Sequence, residues 1–268
     1  VQTCALPILF FYWCFGNDWV SIGIFTACIV FPVSILLDGS LTKIERDRIF
    51  VIYIIAFFVI FFWAAYEQAG ASLTLFAAEQ TDRTILGWEM PASWIQSFNP
   101  FFVVILAAIM PSVWGALNKR GMEPASPTKQ AIGLLLLSLG YLVICFGVKD
   151  VQPGVKVSLI WLTGLYFIHT MGEIALSPIG LSMVNKLTPV RFASLMMGIW
   201  YLSTSTANKF AGTLGGLYPE DGKVKTLLGF RIETMFDFFM VFVIMSGVAS
   251  LILFLLSKKL QKMMHGVE

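Results

Sequence analysis

Three observations predict an all-α membrane protein. Of the 268 residues, 57% are apolar and only 13% are charged, against about 45 to 50% and about 25% in soluble domains. Mean hydropathy is +0.81. The apolar residues gather into long segments, close to the ~20 residues that cross a bilayer as a helix, with Lys and Arg placed mainly between them.

In chain order the expected spans are 19–37, 49–78, 95–117, 130–148, 157–185, 192–217 and 238–257. Pro100, Pro111 and Pro178 interrupt some of them, which membrane helices accept more readily than soluble ones. The chain starts on Val1, inside an apolar run with no basic leader, so no signal peptide is expected. VQTCALPIL, residues 1–9, reads as adapter-derived rather than native, and the chain is expected to be truncated at its N-terminus. Residues 1–18 are then a truncated start with the end of a linker helix. Residues 19–48 form a linker helix and a cytoplasmic loop, 49–257 a six-helix bundle, and 258–268 a cytoplasmic tail.

Orientation follows from the bias of Lys and Arg toward cytoplasmic loops. With the loop before residue 49 inside, eleven of the 18 basic residues lie in inner loops and the tail, six lie in outer loops, and Lys209 lies within a span. The C-terminus is therefore expected in the cytoplasm, its lysines against anionic lipid. A net charge of +2 and the lack of any basic run with interleaved aromatics argue against nucleic acid. Cys4, Cys14, Cys28 and Cys145 have no CxxC or metal spacing and read as small hydrophobes.

The expected spans contain four ionisable groups away from their ends: Glu67, His169, Glu173 and Lys209. A charge at a helix centre costs about 2.5 to 3.5 kcal/mol on insertion scales, so each must be neutralised, paired or wetted. From residue 49 the chain counts as two triplets of helices, and Glu67 and Glu173 each fall in the first helix of a triplet. Inverted three-helix repeats place substrate sites at mid-membrane between them, which would bring the two acids to one cavity. The plainer reading makes each a packing carboxylate bonded to a hydroxyl. His169, Glu173 and Ser177, spaced i, i+4, i+8, form one polar stripe. His169 suits either a proton relay or a simple hydrogen-bonding role. With no HExxH and no second His in a span, zinc is not expected. Lys209 either meets a carboxylate in a cavity, loses its proton there, or snorkels to the outer interface.

FFWAAYEQAG (residues 61–70), SFNP (97–100), GEIALSPIGLSMVNKLTP (172–189) and MGIWYLST (197–204) resemble the carboxy-terminal half of a bacterial proton-coupled oligopeptide transporter of the major facilitator superfamily. The segment 19–37 is similar to one arm of the helical hairpin that bacterial members insert between their two bundles. The resemblance implies a six-helix carboxy-terminal bundle preceded by a linker-hairpin helix, in a bacterial inner membrane. It implies symport of di- and tripeptides by alternating access, with the proton as coupling ion and no other cofactor. By residue it implies proton coupling at Glu67, a contact from Glu173 to the peptide amino group, a hydrogen bond from Asn99 to the peptide, a side-chain pocket lined by Trp200 and Ser177, and an outer-gate acid at Glu79. The partners implied are the peptide, protons, lipid and an amino-terminal six-helix bundle that supplies the cation for the peptide carboxylate. Within the same fold, transport of nitrate or another small solute and a non-transporting peptide sensor remain alternatives. An intramembrane enzyme built on His169 and Glu173 lacks a nucleophile or metal set, so the chain is not expected to be an enzyme.

Overall fold

A computed structural model describes residues 2–16, 18–149, 151, 154–220 and 223–267, without the side chains of residues 2–6. The reading of Cys4 as a small hydrophobe therefore lies outside the described residues. Cys14, Cys28 and Cys145 are free thiols, exposed, half-buried and buried respectively.

The first two helices, α1 (Gln2–Phe15) and α2 (Trp19–Leu36), form a hairpin. Phe25 packs against Phe15 and Phe11, with ring centres 5.0 and 5.6 Å apart, and Tyr12 meets Trp19 at 5.6 Å. Asp18 caps α2 by accepting from the Ser21 amide at 3.1 Å, which satisfies one of the donors a helix start leaves open.

α3 (Lys43–Tyr66) opens on a capping box, in which Thr42 accepts from the Glu45 amide and the Glu45 carboxylate accepts from the Thr42 amide. The 49–78 span is not one helix. α3 stops at Tyr66, a 3-10 turn covers Glu67–Gly70, and α4 (Ser72–Glu79) resumes after Ala71, whose φ of −126° and ψ of −100° are not helical. Then come α5 (Phe98–Lys119), led in by a 3-10 turn over Ala92–Ser97, α6 (Ser126–Val148), α7 (Leu159–Leu187), α8 (Ala193–Gly215) and α9 (Met235–Met263). Among the described residues, six segments are long and apolar enough to cross a membrane: α2, α3 with α4, α5 with its lead-in turn, α6, α7 and α9. At 23 residues α8 has the length to span, but its run of Ser203, Thr204, Ser205, Thr206, Asn208 and Lys209 lowers its hydropathy.

α6 is packed against α7 on one side and α9 on the other, and α3 against α8 and α9. Ile52 and Phe62 of α3, Leu134 and Tyr141 of α6, Leu165 of α7, and Phe239 and Phe242 of α9 are fully buried. Lipid tails are as apolar as these side chains, so close fit and interhelical hydrogen bonds hold membrane helices together, at about 0.6 kcal/mol per bond on average. Two such bonds join α6 to α9: Ser138 Oγ donates to the Val243 carbonyl at 2.8 Å and Ser250 Oγ to the Ala131 carbonyl at 2.7 Å.

The bundle has two different ends. At the end holding the start of α3, Arg48 Nε donates to the Met264 carbonyl at 3.1 Å and His265 Nε2 lies 2.8 Å from Asp47, fixing the chain after α9 to α3. At the other end, two short antiparallel ribbons pair Thr84–Ile85 with Trp88–Glu89 and Lys225–Leu227 with Phe230–Ile232. Both turn on a Leu-Gly pair with positive φ, Leu86 and Gly87 in one, Leu228 and Gly229 in the other, a conformation that costs leucine and suits glycine.

Candidate functional site

The interruption of α3 organises the site. Breaking a helix frees backbone carbonyls, and inside a membrane these need protein partners. Three carbonyls around the turn have a side-chain partner: Ala64 accepts from Gln68 Nε2 at 3.2 Å, Ala65 from the Tyr141 hydroxyl at 2.6 Å, and Ala69 from Thr74 Oγ1 at 2.7 Å. Gln68 is fully buried. Its Nε2 also donates to the Ala211 carbonyl of α8 at 2.9 Å, and its Oε1 accepts from Ser72 Oγ at 2.6 Å. One side chain thus splices α3 to α4 and holds both to α8, while the turn turns Glu67 out to an exposed face.

Beside that turn sits Glu173, half-buried on α7. Its Oε2 accepts from the Tyr66 hydroxyl at 2.5 Å and from Asn99 Nδ2 at 2.8 Å. Asn99 Nδ2 also donates to the Tyr66 oxygen and, at 3.2 Å, to Thr170 Oγ1, which donates onward to the Tyr166 carbonyl at 2.7 Å. Three helices, α3, α5 and α7, therefore converge on one carboxylate, and Glu67 is near enough to interact with it electrostatically. Glu67 is exposed and Glu173 half-buried, and neither borders either of two clefts in the bundle. One cleft, of about 650 Å³, is bordered by Asn118, Lys129 and Gln261, and the other, of about 990 Å³, by Glu79, Tyr218 and Lys225.

The remaining candidates divide. Ser177 is half-buried one turn along α7 from Glu173. Trp200 is only 4% exposed and packs against Gly180, where an added Cβ would come within 2.5 Å of the ring. His169 is 3% exposed, with Nε2 3.2 Å from the Leu137 carbonyl, and its ring fills the space left by Gly140, where a Cβ would stand 2.3 Å from it. Glu79 is exposed at the rim of the larger cleft and accepts from the Tyr218 hydroxyl at 3.4 Å. Burial, with Glu79 beside it, pushes the Tyr218 phenol above its usual range. Lys209 belongs to none of these groups. Its Nζ lies 2.6 Å from Asp18 Oδ2, and Lys209, with Ser21, holds that carboxyl well below the usual carboxylate range.

Reasoning from ionisable groups missed Tyr66, Gln68, Thr170 and Asp18. Tyr66 and Gln68 flank Glu67 inside FFWAAYEQAG, so a search for polar atoms rather than charges would have found them.

The family model described as PTR2, the POT family, matches residues 24–228. The chain belongs to the POT family. Peptide transporter YePEPT of Yersinia enterocolitica is 37% identical over 185 residues, 68% of this chain and 36% of that protein. Dipeptide and tripeptide permease A of Escherichia coli is 30% identical over 218 residues, 81% of this chain and 43% of that protein. A crystal structure of a point variant of peptide transporter POT in complex with alafosfalin matches with a TM-score of 0.80 and 29% identity, covering 91% of this chain and 47% of that one. The chain spans about half the length, or less, of these relatives. Its helices form one multi-pass membrane bundle of the kind those POT structures contain, as the resemblance implied.

Proposed function

We propose that the chain is the carboxy-terminal half of a bacterial inner-membrane symporter that couples uptake of di- and tripeptides to protons, with its C-terminus in the cytoplasm. The observation that carries the reading is the convergence of Tyr66, Asn99 and Glu173 beside Glu67. A dipeptide is zwitterionic whatever its side chains, so a site serving many peptides reads the termini and the amide. Glu173 supplies the anion for the ammonium group, and Asn99, with an amide oxygen as well as its nitrogen, matches the peptide bond. Ser177 of α7 and Trp200 of α8 continue the same wall and border a side-chain pocket. An amino-terminal six-helix bundle closes the cavity opposite and provides the cation for the peptide carboxylate.

Glu67 carries the coupling. A carboxylate away from bulk water takes up a proton when no cation is near and releases it when one arrives, so its protonation follows which helix faces it. Rocking of the two bundles turns that dependence into alternating access. The hydrogen bond from Tyr218 to Glu79 at the far end supports the reading of Glu79 as an outer-gate acid. His169 is buried and bonded to a backbone carbonyl, which supports a hydrogen-bonding role rather than a relay.

The test is uptake of a labelled dipeptide by the intact transporter in proteoliposomes, with and without an inward pH gradient. Uptake above equilibrium only with the gradient is expected, and Glu67→Gln should abolish it while leaving peptide exchange. Uptake indifferent to the gradient, or no uptake at all, would count against the proposal; the second outcome would favour a sensor.

A further inference from the structure

We infer that Tyr66 is a positioning residue for the ammonium seat: its phenol fixes the Glu173 carboxylate through Oε2 so that Oε1 is left to accept from the ligand. The inference rests on the proposed role of Glu173 and adds to it a residue that charge alone does not reveal.

The donor count separates Tyr66 from Asn99. Asn99 Nδ2 has two protons and three acceptors within reach, Glu173 Oε2, the Tyr66 oxygen and Thr170 Oγ1, so its donation is divided. Tyr66 has one proton, directed at Glu173 Oε2 over 2.5 Å, while its oxygen accepts from Asn99. Each of these bonds is polarised toward the carboxylate, and hydrogen bonds to an ionised acceptor are roughly twice as strong as neutral ones. Among the described residues, both donors converge on the same oxygen. A glutamate has three rotatable bonds, and a ligand that met it loose would have to order it; one already fixed has less to lose on binding.

The phenol is itself held firmly. The Tyr66 ring stacks on Phe62 with centres 5.5 Å apart and meets Trp63 edge-on at 5.4 Å, and the residue closes α3 where the 3-10 turn begins. It therefore carries the position of the helix break into the orientation of Glu173. Replacement by phenylalanine deletes the hydroxyl and keeps these ring contacts.

The experiment compares Tyr66→Phe with the unsubstituted protein in the intact transporter, using dialanine and its N-acetylated form. The variant is expected to raise KM for dialanine about tenfold, the scale of one lost bond to a charged group, with kcat little changed. The N-acetylated peptide has no ammonium to seat, so its uptake should not move. In a Glu173→Gln background the hydroxyl should no longer matter, because the charged acceptor is gone. A fall of equal size for both peptides would mark Tyr66 as merely structural, and a lower KM for dialanine would mark it as a competitor for the seat; either overturns the inference. Loss of peptide uptake in the unsubstituted protein would instead overturn the transport reading on which this one stands.

Discussion

Lys209 Nζ lies 2.6 Å from Asp18 Oδ2, so the lysine of α8 closes on the cap of α2. Within the same contact Cys28 Sγ sits 3.2 Å from Thr206 Oγ1, one helical turn before Lys209. The pair is partly exposed, where ion pairs add little to stability. Its effect is on which part of the bundle the hairpin touches. Lys209→Met should therefore leave peptide uptake nearly unchanged but speed amide hydrogen exchange in α2, and Asp18→Asn should do the same. Because Lys209 lowers the Asp18 pKa, the pair is fully formed above the ordinary carboxylate range and is lost only as pH falls through the depressed value. Protection of the α2 amides, with the intrinsic pH dependence of exchange divided out, should accordingly be flat from neutral pH down to the ordinary carboxylate range and fall only below it. Loss of protection near pH 5 would contradict the pairing.

Gln68 gives a larger effect. Gln68→Leu deprives the Ala64 and Ala211 carbonyls and the Ser72 hydroxyl of their partner at once. Leaving a buried polar group unmatched costs about 1 to 3 kcal/mol, so a loss on the order of 3 kcal/mol is expected, seen as a lower Tm in detergent. Tyr141→Phe removes a single bond, from its hydroxyl to the Ala65 carbonyl, and should cost about a third as much. Equal losses in the two variants would mean that the splice does not run through Gln68.

The parts of this structure that were legible in the sequence are those set by local composition. Long apolar runs bounded by basic residues define the spans because a bilayer imposes a length, and Glu173 and Glu67 stand out because charge in an apolar run is costly. The interruption at residues 67–70 was not legible. EQAG contains no proline, and what holds the turn open is supplied from elsewhere, by Ala211 on α8 and Tyr141 on α6. Lys209 was puzzling for the same reason, since its partner is 191 residues away. The two antiparallel ribbons were hidden because Leu-Gly stands where Asn-Gly is the usual turn signal.

Gly180 and Trp200 offer a test of the pocket wall. A methyl group at Gly180 would come within 2.5 Å of the Trp200 ring, so Gly180→Ala should push the indole off α7. If Trp200 borders the side-chain pocket, KM for phenylalanine-bearing dipeptides should change severalfold more than KM for dialanine. An equal change for both peptides would remove Trp200 from the pocket.

Gly140 and His169 pose the last question, whether the imidazole is a chemical or a packing group. His169 is enclosed between α6 and α7, its Nε2 at the Leu137 carbonyl and its ring 4.7 Å from that of Tyr141. Gly140→Ala places a carbon 2.3 Å from the ring, and overpacking of this kind costs about 1 to 3 kcal/mol. Because the clash needs both residues, His169→Ala should relieve it, so that the double variant is more stable than the sum of the single losses implies. A packing role further predicts that proton-driven uptake survives in the double variant once its stability is restored. A relay predicts that uptake driven by the gradient is lost whenever the imidazole is absent, whatever the Tm.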